Sequence, residues 1–173
     1  MSLLRIVHYP ERVLLEIGKL VSDEEFNEDL KKLVEDMFET MYASNGVGLA
    51  APQVDVSKRL FVMDCSGGED ETQKLALINP EILHVEGEQY GDEGCLSFPG
   101  VYTKVKRELR AIVRYQDING EVQELDGEDL TARCALHETD HCDGIVFLDR
   151  MSVLKRELSK RKIKKLQKTG IWG

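Results

Sequence analysis

Apolar residues recur at spacings of three and four through Phe26, Leu30, Leu33, Val34, Met37, Phe38 and Met41, as on the buried face of a helix. Ser22-Asp23-Glu24-Glu25 ahead of this run has the form of a capping box, and Asn45-Gly46 behind it is a stop signal, so a helix is predicted between them. Its Met and Phe stripe reads as core. Residues 3–7 form an extended lead-in, closed by Tyr9-Pro10. Beyond the helix the period shortens. Residues 59–64 and 75–78 read as strands, 81–86 continues extended structure past Pro80, and 109–115 and 121–125 read as strands that meet across the favoured hairpin turn Asn119-Gly120. A helix is predicted from about Glu128 and a last one from about Ser152. The pattern is that of an α+β fold: mostly antiparallel strands around a central helix, with a long N-terminal helix and a C-terminal helix.

At 173 residues and 42% apolar, the chain is long enough for a substantial core, and no linker or low-complexity run divides it. Residues 1–173 are therefore expected to form a single domain that includes the C-terminal helix from about residue 152. No secretory or membrane-spanning pattern is found at the N-terminus, which implies a cytoplasmic protein. Four cysteines in such a chain are expected to stay reduced or to serve a metal.

The chemistry centres on His137-Glu138-Thr139-Asp140-His141. Positions four apart share one helix face, so two imidazoles can converge on one cation, with a carboxylate beside them to take a proton from water. A catalytic site of this kind usually has a third protein ligand. In one extended form of the pattern a third His stands six residues after the second, but here that position is Phe147. Cys134 shares the histidine face yet lies roughly 10 Å along the axis from His141, and Cys142 points about a quarter-turn away. The ligand is thus sought elsewhere, among Cys65, Cys95, His8 and His84. Cys95 is the best of these, because Gly94 permits close backbone approach and the next peptide N–H, of Leu96, can face the same site. The small-residue stretch 46–53 is weak as a phosphate loop. It suits a tight backbone segment that could run beside an extended ligand, with Gln53 as a donor.

Three segments together carry a resemblance. Gly46-Val47-Gly48-Leu49-Ala50-Ala51-Pro52-Gln53, Glu93-Gly94-Cys95-Leu96-Ser97 and His137 to His141 follow one another as do the GxGxAAxQ, EGCLS and HExxH motifs of the bacterial peptide deformylases, which the chain closely resembles over nearly its whole length. The resemblance implies that Cys95, His137 and His141 bind one divalent ion, Fe²⁺ in the cell with Zn²⁺, Ni²⁺ or Co²⁺ accepted. It implies that Glu138 is the acid/base and that Gln53 and the Leu96 N–H hold the oxyanion. N-formyl-methionyl nascent peptides would lie as an added strand against Val47, Gly48 and Gly94, with Cys134 walling the methionine pocket. Two positions depart from the family pattern, Leu136 before the first metal-binding His and Tyr102 after the EGCLS loop, and both bear on pocket polarity. A general HExxH endopeptidase and a closed, non-catalytic zinc module are the alternatives.

Charge adds one more expectation. Residues 150–173 hold nine Lys/Arg and one acid, and residues 1–149 hold fourteen Lys/Arg and thirty-one acids, so the parts carry +8 and −17. Leu154 and Leu158 share a face, which predicts that only the first turns of the last helix pack. The outer turns are then free for a polyanion, and the hypothesis is ribosomal RNA.

Overall fold

In this computed structural model, which describes residues 2–170 and 172, the elements in chain order are α1 (Glu28–Ala43), β1 (Gly48–Ala50), β2 (Leu60–Met63), β3 (Leu75–Glu86), β4 (Gln89–Gly94), β5 (Tyr102–Arg107), β6 (Arg110–Gln116), β7 (Val122–Glu128), α2 (Asp129–Cys142) and α3 (Val153–Lys168). β1, β2, β3, β6 and β7 are neighbours in that order in an antiparallel sheet, and β4 and β5 form a separate antiparallel pair. The α+β architecture is the one expected.

The Ser22–Glu25 capping box exists, with the Ser22 N–H donating to Glu25 Oε1 at 3.1 Å, but it heads a single 3₁₀ turn. α1 starts later, where the Asn27 side chain accepts from the Leu30 N–H at 3.1 Å. Its stripe is core: Met37 and Met41 are fully buried, and they pack with Leu49, Leu60 and Val62 of the sheet. The left-handed stop falls at Asn45, φ 57°, a residue whose short polar side chain tolerates that region.

The predicted strand 75–78 and its extended continuation 81–86 form one strand, β3. Asn79 at φ 52° and the register shift between Ile78 and Glu81 let the chain pass Pro80 without leaving the sheet. The Asn79 side chain accepts from the Val21 N–H at 2.8 Å and donates to Gln116 Oε1 at 2.8 Å, so the bulge is fastened on both sides.

β4 and β5 are absent from the sequence expectation. Their inward positions include Glu93, Val105 and Arg107 rather than an apolar series, and the alternation that marks a half-buried strand is lost where its inner members are charged.

α2 lies between the sheet and this hairpin, and every residue from Ala132 to Cys142 is buried. Its sheet side, with Ala132, Ala135, Leu136 and Cys142, packs against Phe61, Leu77 and Val113.

α3 begins where expected, capped by Ser152, which accepts from the Lys155 N–H at 3.3 Å. Its packing face is the reverse of the expected one. Leu154 and Leu158 are 70% and 53% exposed, whereas Ile163 is buried and Leu166 packs beside it. The reason is the chain beyond the helix, which returns Trp172 to a cluster with Phe98 and Phe147. The Trp172 indole N–H donates to the Tyr9 carbonyl, and its own carbonyl lies 2.7 Å from His8 Nδ1, so the last turns are the anchored ones.

Candidate metal centre

Cys95, His137 and His141 each place a ligand atom within 4.8 Å of the other two, from the loop after β4 and two turns of α2. Cys95 Sγ is 3.4 Å from His141 Nε2. His137 Nδ1 is engaged by Glu93 Oε2 at 2.7 Å, which leaves Nε2 for the interior of the group. A thiolate and two imidazoles suit a borderline divalent ion of the first transition row. The other soft candidates lie apart. His8 is joined to Trp172, His84 sits on the exposed side of β3 near Glu86, Cys65 packs beside the sheet core, and burial pushes the Cys142 thiol up to about 12.

Protonation within the group follows from its neighbours. Burial lowers the His137 imidazole, but Cys95 and Glu93 outweigh it and hold the group well above its ordinary value. Burial, with the charge of His137, pushes His141 well below. A cation among these atoms takes over the position of that proton, so binding it releases protons to solvent.

Glu138 is 2% exposed, with Oε1 3.9 Å from His137 Nε2 and with Oε2 buried and without a partner among the described residues. Burial pushes its carboxyl up to about 7, against the pull of His137. A buried carboxylate oxygen without a donor is costly unless something polar meets it. The orphaned oxygen beside three convergent soft ligands fits a divalent ion with a water between them.

A cleft of about 550 Å³ opens over the group, and Val47, Gly48, Gln53, Gly94, Leu96, Cys134 and Glu138 all line it. β1 is the edge of the large sheet, paired only with β2, so its other side faces this space. Gly48 is required there. A Cβ at this position would lie 2.8 Å from Cys134 Sγ and 3.0 Å from Glu138 Oε2, closing the approach to the carboxylate. Gln53 is held by its own oxygen, which accepts from the Ala50 N–H at 2.9 Å. The amide nitrogen is therefore turned to Ser97 Oγ at 3.2 Å and Cys95 Sγ at 3.5 Å. The Cys134 thiol rests 3.5 Å from the Val47 carbonyl, and contact with Cys65 together with burial pushes it up, so it is a neutral wall. Of the two departures, Tyr102 lines the cleft with its ring against Gly94, while Leu136 points into the sheet core and does not touch the pocket.

Sequence reasoning missed the ionic frame behind the ligands. Glu93 accepts from Arg107 Nε at 3.0 Å and Nη2 at 2.7 Å and from Arg133 Nη1 at 3.0 Å, besides His137. Arg107 Nη1 continues to Asp140 at 2.7 Å, and Asp140 accepts from Arg150 Nη2 at 2.8 Å. Burial raises the Glu93 carboxyl, but the bonds from His137 and Arg107 hold it well below the usual carboxylate range. Glu93 and Asp140 each lie inside a motif read for other residues, and that position was the available signal.

The family described as Polypeptide deformylase matches residues 3–157. A peptide deformylase of Acidobacterium capsulatum is 52% identical over 167 residues, 96% of this chain and 97% of that one. One from Thermodesulfovibrio yellowstonii is 49% identical over 164 residues, 95% and 98% of the two chains. Among solved structures, a peptide deformylase from Legionella pneumophila superposes with a TM-score of 0.90 at 42% identity, covering 98% of each chain.

Proposed function

The chain belongs to the polypeptide deformylase family, metallohydrolases that remove the N-formyl group from nascent peptides, and on that premise we propose that Cys95, His137 and His141 hold the divalent ion and Glu138 moves the protons. The observation that carries this reading is the orphaned Glu138 Oε2 next to the convergent Cys95, His137 and His141 atoms at the base of an open cleft. Held by Cys95, His137 and His141, a divalent ion, Fe²⁺ in the cell, would supply the Lewis acidity that brings a water towards ionisation at neutral pH. Glu138 accepts that water's proton as the oxygen attacks the formyl carbon. Charge then develops on the formyl oxygen, opposite the Gln53 amide N–H and the Leu96 backbone N–H. Two such fixed donors are what this step needs. Glu138 returns its proton to the leaving amine, giving formate and a free N-terminus.

The peptide lies as an added strand along the free edge of β1 at Val47 and Gly48, and against Gly94, so recognition is mainly through backbone bonds. Its methionine side chain enters beside Cys134. A closed zinc module requires a fourth protein ligand, and the convergent group contains three residues among those described. The whole chain acts as one catalytic domain in the cytoplasm, where formylated chains are made; no helix among the described residues is long and apolar enough to cross a membrane.

Formate release from formyl-methionyl peptides, measured with metal content after anaerobic purification, tests the assignment. Cys95→Ser should lower metal retention by at least tenfold, since even the partners behind a ligand contribute about 10–100-fold, while Cys65→Ser should leave it unchanged. Equal losses at the two positions would move the third ligand away from Cys95.

We also propose that α3 meets ribosomal RNA. Lys160, Lys164 and Lys168 recur every four residues on its exposed surface, and phosphate neutralisation by such a row gives salt-sensitive affinity. Because Ile163, Leu166 and Trp172 are packed, truncation would disturb the core, so charge reversal is the cleaner test. The triple change of Lys160, Lys164 and Lys168 to Glu should abolish co-sedimentation with ribosomes at low salt while small formyl-peptides are still turned over. Undiminished co-sedimentation would make the helix an ordinary solvated one.

A further inference from the structure

Leu130, Arg133, Cys134 and His137 lie three, four and seven residues apart on one face of α2, and all four line the cleft. Three of them suit an apolar or metal-binding wall. Arg133 does not, and it is only 6% exposed. Its Nη1 donates to Glu93 Oε1 and to the Val105 carbonyl, each at 3.0 Å. Its Nη2 is buried and meets no acceptor among the described residues. A Cβ built on Gly91 would lie 3.3 Å from that nitrogen, so β4 covers it closely on one side, and Arg133 is itself among the residues that line the cleft.

A guanidinium N–H withdrawn from water without an acceptor carries the full desolvation cost of a charged donor, and a ligand that presents an acceptor there recovers it. The neighbouring charges narrow the choice of ligand. Glu93 and Glu138 also line the cleft, so another carboxylate would meet two acids already in place, whereas a neutral group with a strong dipole would not.

We propose that Arg133 Nη2 is a donor in the pocket that takes the first side chain of the formyl-peptide, and that it selects side chains whose far end carries a neutral acceptor. This rests on the reading of the cleft as the formyl-peptide site. Methionine offers its thioether sulfur, a weak acceptor. Methionine sulfoxide offers a polarised S–O oxygen on a chain of the same length. The site therefore accepts formyl-peptides whose initiator residue has been oxidised, a substrate class that a purely apolar pocket would reject.

Three formyl-dipeptide amides test this, with methionine, norleucine or methionine sulfoxide first and alanine second, assayed by formate release. Norleucine matches methionine in length and lacks the acceptor. In the wild type, kcat/KM for the sulfoxide should equal or exceed that for norleucine. In Arg133→Met the ratio of sulfoxide to norleucine should fall by tenfold or more, the loss expected for a hydrogen bond to a charged group. Arg133→Lys should restore part of it. The ratio is taken within one protein, so any general loss from disturbing Glu93 and His137 cancels. An unchanged ratio in Arg133→Met would reduce Arg133 to an anchor for Glu93. Should that variant fail to fold, a wild type that disfavours the sulfoxide more than tenfold against norleucine overturns the inference by itself. Absence of formate from the methionine peptide, with metal loaded, would instead remove the reading of the cleft and this inference with it.

Discussion

Glu138→Gln should keep one divalent ion per chain and lose about 10²–10⁴ of turnover, the range that a positioned general acid/base contributes. The substitution keeps the shape of the side chain and touches none of the three ligand atoms, so metal content is the control that separates loss of proton transfer from loss of the site. The expected effect is large because no second base stands ready. Oε2 is buried and unpartnered among the described residues, and the imidazoles beside it face other groups, His137 through Nδ1 to Glu93 and His141 through Nε2 to Cys95. Formate release per bound metal is the measurement. Activity within tenfold of wild type would end the assignment of Glu138 as the proton carrier.

Glu93→Gln should weaken both the fold and the metal site. One carboxylate faces Arg107, Arg133 and His137, all within 3.0 Å, and all of these groups are buried. Neutralising it leaves two guanidinium groups short of a counter-charge and replaces one acceptor oxygen by an amide that repels their N–H groups. Breaking a buried ion pair in this way costs about 3–5 kcal/mol. His137 also loses the acceptor that fixes its ring, and such partners are worth about 10–100-fold in metal affinity. The pH dependence has a definite sign. Because the folded-state Glu93 carboxyl is held below its unfolded value, its stabilisation is complete above the ordinary Glu range, near 4.3, and is lost as the pH falls through the lower folded value. The variant should therefore show a lower urea midpoint at neutral pH and a flatter loss of stability in acid. A midpoint and chelator resistance equal to wild type would show that the frame around Glu93 is dispensable.

The contrast between what the sequence made legible and what it hid has a physical basis. α1, α2 and the β6–β7 hairpin were visible because residue periodicity and an Asn-Gly turn act locally. The convergence of His137 and His141 was visible because spacing on a helix is itself geometry. The β4–β5 pair was hidden because its inner face is ionic, and a charge on the inside reads as a charge on the outside until its partners are known. The face of α3 was misread for a related reason. Leu154 and Leu158 offered the stronger local stripe, but the partner that decides is Trp172, brought back from beyond the helix. The continuation of extended structure past Pro80 was legible, but the bulge that carries β3 through it was not, because it depends on the long-range bonds of Asn79.

The docking of Trp172 also gives the protein a built-in optical probe. It is the only tryptophan in the chain, its indole is 4% exposed, and it does not line the cleft. Emission excited at the red edge of protein absorbance thus comes from the seam where the end of the chain closes on Tyr9 and Phe98. A red shift of that emission reports release of the terminal segment, and a ligand that fills the cleft leaves it in place, so one spectrum distinguishes loosening of the seam from occupation of the site.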